Sequence, residues 1–271
     1  MRVLVPAVLG CLFWASTASA FHTAKHELLK ESVQVLEEMR QSPDQGIPFQ
    51  LIQKAKAIII IPTLLKGGFL LGARYGEGVA TVRNPYTGQW SPPAFITTAG
   101  ASFGFQAGAQ AIDLVLLVMT ERGLKGLLKD QFTLGGDIAL SAGPVGRYAE
   151  AGTDLLFQGE IYSYSRSKGI FGGVSLKGTV IQANREKNRS YYGKAYEPAR
   201  ILLGGPPKIL PPSARAFMEA MNKLAPPPPH PQIQRTGLEP VPVEKRPKQS
   251  PPPKPKPLPP AKPAHQKLPL W

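Results

Sequence analysis

The chain changes its hydrophobic rhythm three times. Between residues 22 and 40, Leu29, Val33, Leu36 and Met39 recur at helical spacing, with lysine and glutamate on the other face. Pro43, Gly46 and Pro48 end that helix. The rhythm then shortens to β-branched and glycine-rich runs of strand length. Ala57–Ile61 is such a run, stopped by Pro62, and Gly68–Ala73, Gly78–Val82 and Ala94–Thr98 follow it. Asn84-Pro85-Tyr86-Thr87-Gly88 is a turn signal between the last two. Ile112–Met119 predicts a buried strand. Thr120 then caps a short helix whose Leu124, Leu127 and Leu128 share a face. Asp137–Ala142, Asp154–Ser165 and Gly172–Ala183 read as further strands. Ser213 caps a last helix with Phe217, Met221 and Leu224 inside. Beyond Ala225 the periodicity vanishes.

Glycine at this density inside strands means strong curvature or close backbone approach. The pattern predicts an α+β fold: a curved, mainly antiparallel, glycine-rich sheet with a few flanking helices, followed by a disordered proline-rich tail. Ala94–Met119 also carries Gly100, Gly104 and Gly108 at the spacing of a membrane dimer helix. Gln106, Gln110 and Asp113 are expensive in hydrocarbon, so two strands joined by a glycine-rich segment fit better.

Composition divides the chain further. Of its 30 prolines, 17 lie from Pro226 onward, in runs that favour extended polyproline conformations. The formal charge is +14, and from Ala225 on eight Lys or Arg face two Glu. Such a protein prefers anionic partners. At the other end, Met1-Arg2, the apolar stretch Val3–Trp14 and Ala18-Ser19-Ala20 have the form of a secretory signal cleaved after Ala20. Val8-Leu9-Gly10-Cys11 also fits a lipoprotein box, with Cys11 acylated. Export, to the periplasm or envelope, makes nucleic acid the least fitting partner. The expected segments are a signal at 1–20, an amphipathic helix at 21–46, a core domain at 47–196, a linker and helix at 197–224, and the basic tail at 225–271.

Catalytic patterns fail on missing partners. Gly100-Ala101-Ser102-Phe103-Gly104 has the nucleophile-elbow spacing, but no histidine lies between residues 27 and 229 to serve as base. Ser165-Arg166-Ser167-Lys168 matches S-x-x-K without its companion motifs. His22 and His26 stand at i, i+4 without an obvious third ligand. The expectation is a protein with no catalytic residues, metal or cofactor.

The core resembles the SYLF-domain family. The resemblance rests on Ala55-Lys56-Ala57 with IIIIP at 58–62, Lys66-Gly67-Gly68-Phe69, and the hexapeptide Trp90-Ser91-Pro92-Pro93-Ala94-Phe95. Gly104-Phe105-Gln106-Ala107-Gly108, Asp113, Gly143-Pro144-Val145-Gly146-Arg147 and Tyr164-Ser165-Arg166-Ser167-Lys168-Gly169 follow in order, closing with Asn188 and Tyr192-Gly193. The resemblance implies binding of acidic lipids without enzymatic activity. Fungal members also bind and bundle actin, which an exported chain would not meet, so general anionic-lipid binding is what carries over.

Lipid phosphates need cations and N–H or O–H donors gathered at one face. Arg166 and Lys168 are the leading candidates for headgroup contacts, with Ser165 and Ser167 as hydroxyl donors. Lys177, where many relatives have an acidic residue, and Arg147 rank second. Lys25 and Lys30 join if the first helix lies on the membrane. The alternative is an adaptor or structural protein whose proline-lysine tail docks on a partner protein or an anionic envelope polymer.

Overall fold

The computed structural model describes residues 9–42, 46–144, 159–167, 170–171, 176–204 and 210–227, with the backbone alone for 9–23, 69–71, 102–108 and 170–171. The chain divides into Met1–His230 and Pro231–Trp271. The tail expected beyond Pro227, like Arg147 and Lys168, lies outside the described residues.

Two very long strands dominate: β1 (Ala57–Val82) and β2 (Ala94–Val118). They pair antiparallel from Ala57↔Val118 to Ala80↔Ala94. The sequence predicted five short strands over this region; the structure fuses them into two. Pro62 does not stop β1. It sits where the register shifts between Ile61 and Leu64, an irregularity that spares the ladder its missing N–H. Ala94–Val118 is likewise one continuous strand, not two. Among the described residues no helix is long and apolar enough to cross a membrane.

A straight strand of 26 residues would measure about 86 Å, whereas a domain of 200 residues has a radius of gyration of about 16 Å. The ribbon must therefore bend, and it bends until β1 meets itself. A Cβ on Gly78 would lie 2.2 Å from the Ile60 carbonyl oxygen, and one on Gly76 would lie 2.9 Å from Ile61 Cγ2 and 3.1 Å from Leu64 Cα. Only glycine lets the two passes of the strand approach so closely.

β2 is the hub of a 7-stranded sheet. Besides β1 it pairs with β5 (Ile161–Ser167) along Asp113–Val118 and with β7 (Val180–Ala183) along Ile96–Ala99. β3 (Gln131–Thr133) adds to β7, β4 (Leu140–Ala142) runs parallel to β5, and β6 (Ile170–Phe171) pairs back on β5. The remaining pairings are antiparallel, so the α+β, curled, mainly antiparallel expectation holds.

Helices close the core. α1 (Leu9–Gln41) presents Leu29, Val35, Leu36 and Met39 to β1, whose Ile58–Ile61 are fully buried. Each such isoleucine contributes about 1.5–3 kcal/mol. The sequence placed Val33 on that stripe, but Val33 is only partly buried and Val35 takes the deeper position. α2 (Phe49–Lys54) is a single short turn of helix before β1. α3 (Glu121–Leu127) starts as expected at Thr120, whose hydroxyl accepts from the Gly123 N–H. α4 (Arg185–Tyr192), α5 (Pro198–Leu203) and α6 (Pro212–Leu224) follow the sheet. α6 buries Phe217, Met221 and Leu224 as predicted, and packs on α1. Its cap differs from the expectation: Pro211 occupies the N-cap and Ser213 lies within the helix, 2.6 Å from the Tyr191 hydroxyl.

The hexapeptide at 90–95 ties these helices to the sheet. Asn188 on α4 receives the Phe95 N–H at 2.8 Å and donates to the Phe95 carbonyl at 2.9 Å. The Tyr192 hydroxyl donates to the Pro93 carbonyl, and Trp90 Nε1 donates to the Ala225 carbonyl at 2.8 Å. Arg83 lies 4.2 Å from the Trp90 ring and donates to the carbonyls of Ile52, Ala55, Gly88 and Ala225. Burial lowers its pKa to about 10, so the guanidinium stays charged at neutral pH.

The self-crossing yields a prediction. Gly78→Ala should lower unfolding stability by about 3 kcal/mol, because its methyl meets backbone that cannot swing aside. Gly136→Ala, whose Cβ would meet nothing closer than 3.5 Å, should change it by less than about 0.5 kcal/mol. Urea denaturation of both variants measures the difference.

Candidate functional site

The bent ribbon has two feet and a middle. One foot is near Leu64 and Ile112, where β5 joins β2; the other is near Arg74 and Gly100, where β7 ends. Between them β2 has β1 as its sole partner among the described pairings, and β1 has β2 alone along its whole length. Between the feet the ribbon leaves the core. Leu65 is 55% exposed and Tyr75 51%. Ala73, Ala99, Ala101, Ala109 and Ala111 are exposed as well. Cross-strand partners share a face in an antiparallel pair. Leu65↔Ala111, Gly67↔Ala109, Ala73↔Ala101 and Tyr75↔Ala99 therefore make one outward face without a charged group.

The described residues predicted to bind headgroups, Ser165, Arg166, Ser167 and Lys177, lie near these feet, though not as one cluster of available cations. Arg166 on β5 stands opposite Asp113 on β2. Its Nη2 donates to Asp113 Oδ2 at 2.8 Å and to Glu38 Oε2 of α1 at 2.5 Å, and only 15% of the side chain is exposed. Burial works against this charge, but the hydrogen bonds and charges of Asp113 and Glu38 outweigh it and raise the pKa. Hydrogen bonds from Gln34 and Arg166 hold the Glu38 carboxyl below its usual range. Arg166 is thus a clamp between helix and sheet, with both carboxylates already on it. Ser165 points inward and is buried. Ser167 is half-buried, and its hydroxyl donates to the Ala111 carbonyl at 3.3 Å, at the same foot.

Lys177 belongs to the other foot. It is exposed in the turn before β7, where Gly178 takes a φ of 76° and the neighbouring Thr179 hydroxyl accepts from Arg74 Nη1 at 3.0 Å. Lys25 is buried within the helical layer and donates to Ser190 Oγ at 2.6 Å. Burial, reinforced by Lys187 and opposed by Glu186, lowers its pKa. It holds α1 to α4 and does not face solvent. Lys30 is exposed on α1, 3.8 Å from Glu27. The S-x-x-K serine is therefore buried, and the nucleophile-elbow spacing lies inside β2, away from any strand-to-helix turn. Among the described residues no three His, Cys, Asp or Glu side chains gather so as to hold a metal.

Sequence reasoning passed over the outward face and a signal that marks it. Between Asp44 and Asp113 the sole carboxylate side chain is Glu77, which pairs with Lys187, while Lys54, Lys56, Lys66, Arg74 and Arg83 fall in the same stretch. Between its feet the ribbon carries no negative charge.

One curled sheet, built on a self-crossing hairpin and closed by helices from both ends of the sequence, defines an α+β domain. Its family is set by comparison. Residues 99–224 match the family described as "Ysc84: Las17-binding protein actin regulator". Over 199 residues the chain is 33% identical to "SH3 domain-containing YSC84-like protein 1" of Rattus norvegicus, covering 73% of this chain and 57% of that protein. It is 38% identical over 185 residues to "Protein YSC84" of Saccharomyces cerevisiae, covering 67% and 39% respectively. With "LAS seventeen-binding protein 3" of the same yeast it shares 41% over 174 residues, covering 63% and 37%. The chain belongs to this Ysc84, or SYLF-domain, family. It spans about half, or less, of the length of these relatives.

The clamp makes unequal demands on its two acids. Asp113→Ala should cost about 1–3 kcal/mol, since it strips a partner from a largely buried guanidinium. Glu38→Gln, at a carboxylate 40% exposed, should cost less than about 1 kcal/mol at pH 7. Because the Glu38 pKa lies below its ordinary value of 4.5, its contribution is full above that value and fades as pH falls through the depressed one. The stability difference between Glu38→Gln and the parent should therefore vanish in acid, as urea melts across pH 3–7 would show.

Proposed function

We propose that this chain is a non-enzymatic membrane-binding protein of the cell envelope, its SYLF-type domain adsorbing to anionic phospholipid. The observation that carries this reading is the charge of the ribbon region. A stretch of 68 residues between Asp44 and Asp113 holds one acid, already neutralised by Lys187, in a chain of net charge +14. Arg74 and Arg83 of this stretch are buried and Lys56 pairs with Glu121, so the attraction to a negative membrane, about 1 kcal/mol per well-placed cation and screened by salt, falls to its outer lysines. Among the described headgroup candidates Lys177 is exposed. Arg166 contributes in a different way, by fixing β5 and α1 to the foot of the ribbon.

A second reading concerns the tail. The Ala225 carbonyl is held by Arg83 and Trp90, and the proline-lysine stretch follows it in the sequence. The description of the matching family and the name of one yeast relative both speak of Las17 binding, which supports a protein partner for this chain, with the tail as the segment that would dock. An anionic envelope polymer is the other occupant of the same chemistry.

Co-sedimentation of the full chain and of a chain ending at Pro227 with phosphatidylcholine and phosphatidylglycerol vesicles, across a salt series, separates these readings. Both should bind the anionic vesicles and release as salt rises. Binding by the full chain alone would move the function to the tail, and binding by neither would remove the membrane reading.

A further inference from the structure

The ribbon between its feet has the dimensions and surface of an element that rests in a lipid interface. On β1 the eleven residues from Leu65 to Tyr75 separate Leu64 from Gly76, which themselves come together at the crossing. At about 3.3 Å per residue, that loop has some 36 Å of backbone and can stand out from its feet by no more than about 18 Å. That is too short for a hydrocarbon core of about 30 Å. The outer edge of β1 has no strand partner among the described pairings, and unpaired backbone N–H and C=O groups are costly in hydrocarbon. Both limits keep the element at headgroup depth, where water and phosphate oxygens satisfy such groups.

Its outward face suits that depth. Leu65 at one end and Tyr75 at the other are exposed large apolar side chains, each flanked by exposed alanines on the paired strand. An aromatic ring with a hydroxyl is favoured at the boundary of membrane and water. Neither strand carries a carboxylate between the feet; of the two cations in the Leu65–Tyr75 segment, Arg74 is buried and donates to Thr179 and the Ala101 carbonyl, and Lys66 is half-buried on the other face of the ribbon. A face with no acid, in a chain of net charge +14, fits an anionic bilayer better than a second basic copy of the chain.

We propose that the arch formed by residues 65–75 of β1 and 99–111 of β2 is the membrane-seating element of the domain, with Leu65, Tyr75 and the alanine face in the headgroup layer of an anionic bilayer. This deepens the membrane reading and rests on it. The arch supplies apolar contact, and the surrounding cations supply attraction; neither alone holds a protein firmly on a bilayer.

The test uses the full chain with vesicles of phosphatidylcholine and phosphatidylglycerol. The double variant Leu65→Glu/Tyr75→Glu should bind about thirtyfold more weakly than the parent. Tyr86→Glu, at a residue 89% exposed in the loop between β1 and β2, should bind as the parent does. Independently, an environment-sensitive fluorophore on Ala109→Cys in a Cys11→Ser background should shift to the blue with anionic vesicles, a readout that does not depend on how the double variant folds. Parent-like binding by the double variant with no spectral shift at residue 109 would overturn the arch and leave the membrane reading standing. Failure of the parent to bind would overturn both. A parent that is dimeric without vesicles, and a double variant that is monomeric, would give the face to a second copy and also overturn the proposal.

Discussion

The crossing of β1 over itself is the constraint from which the rest of the domain follows. Gly76 and Gly78 let the returning strand lie against Ile60, Ile61 and Leu64 with no side chain between them. That contact brings both ends of the hairpin into one core, so Ile58–Ile61 and Val79–Val82 are buried together although the ribbon between them leaves the protein interior. β2 must then serve two different neighbours, β7 near its start and β5 near its end, because its middle has been carried away from the sheet. A curled sheet with an exposed centre is the geometric result of a close approach at two glycines.

The helices respond to that arrangement. Burial of α1 against the isoleucines supplies most of its attachment, and the Glu38–Arg166–Asp113 clamp adds orientation at the end of the helix. The half-exposed Glu38 arm contributes at most about 1 kcal/mol and the more buried Asp113 arm about 1–3, together below what several buried aliphatic side chains provide. On the opposite side, Arg83 is a cation solvated by carbonyl oxygens and an indole ring. It gathers the end of α2, the β1–β2 loop and the end of α6 in one place. A neutral side chain of similar size could not satisfy four carbonyls from three separate segments.

The alternation of apolar residues made the fold class, α3 with its Thr120 cap and the buried face of α6 legible. Strand lengths were not. Pro62 and the glycine clusters look like strand ends, and only the register shift and the self-crossing show why they are bends inside continuous strands. The site was legible at the level of type and misleading in detail. Arg166 sits in a serine-rich, basic segment that suggests an anion site, but its partners Asp113 and Glu38 are distant in sequence, and no local pattern reveals them. Lys25 misled for the same reason, since Ser190 reaches it from the far end of the domain. The acid-poor stretch from Asp44 to Asp113 was visible in the letters, but its meaning depends on knowing that much of it is one exposed ribbon.

The link from Arg83 and Trp90 to the Ala225 carbonyl also orders events in time. Those partners are separated by 142 and 135 positions, so the contact cannot form until nearly all of the domain has been synthesised. The β1–β2 hairpin can pair early from its own turn, whereas the packing of α1 against α6 and the satisfaction of Arg83 must wait for the last helix. A nascent chain of this protein therefore carries a buried-to-be cation and an unfinished apolar face until residue 225 emerges. Completion of the core is a terminal event, and truncation even a few residues before Ala225 should leave a chain that collapses but does not close.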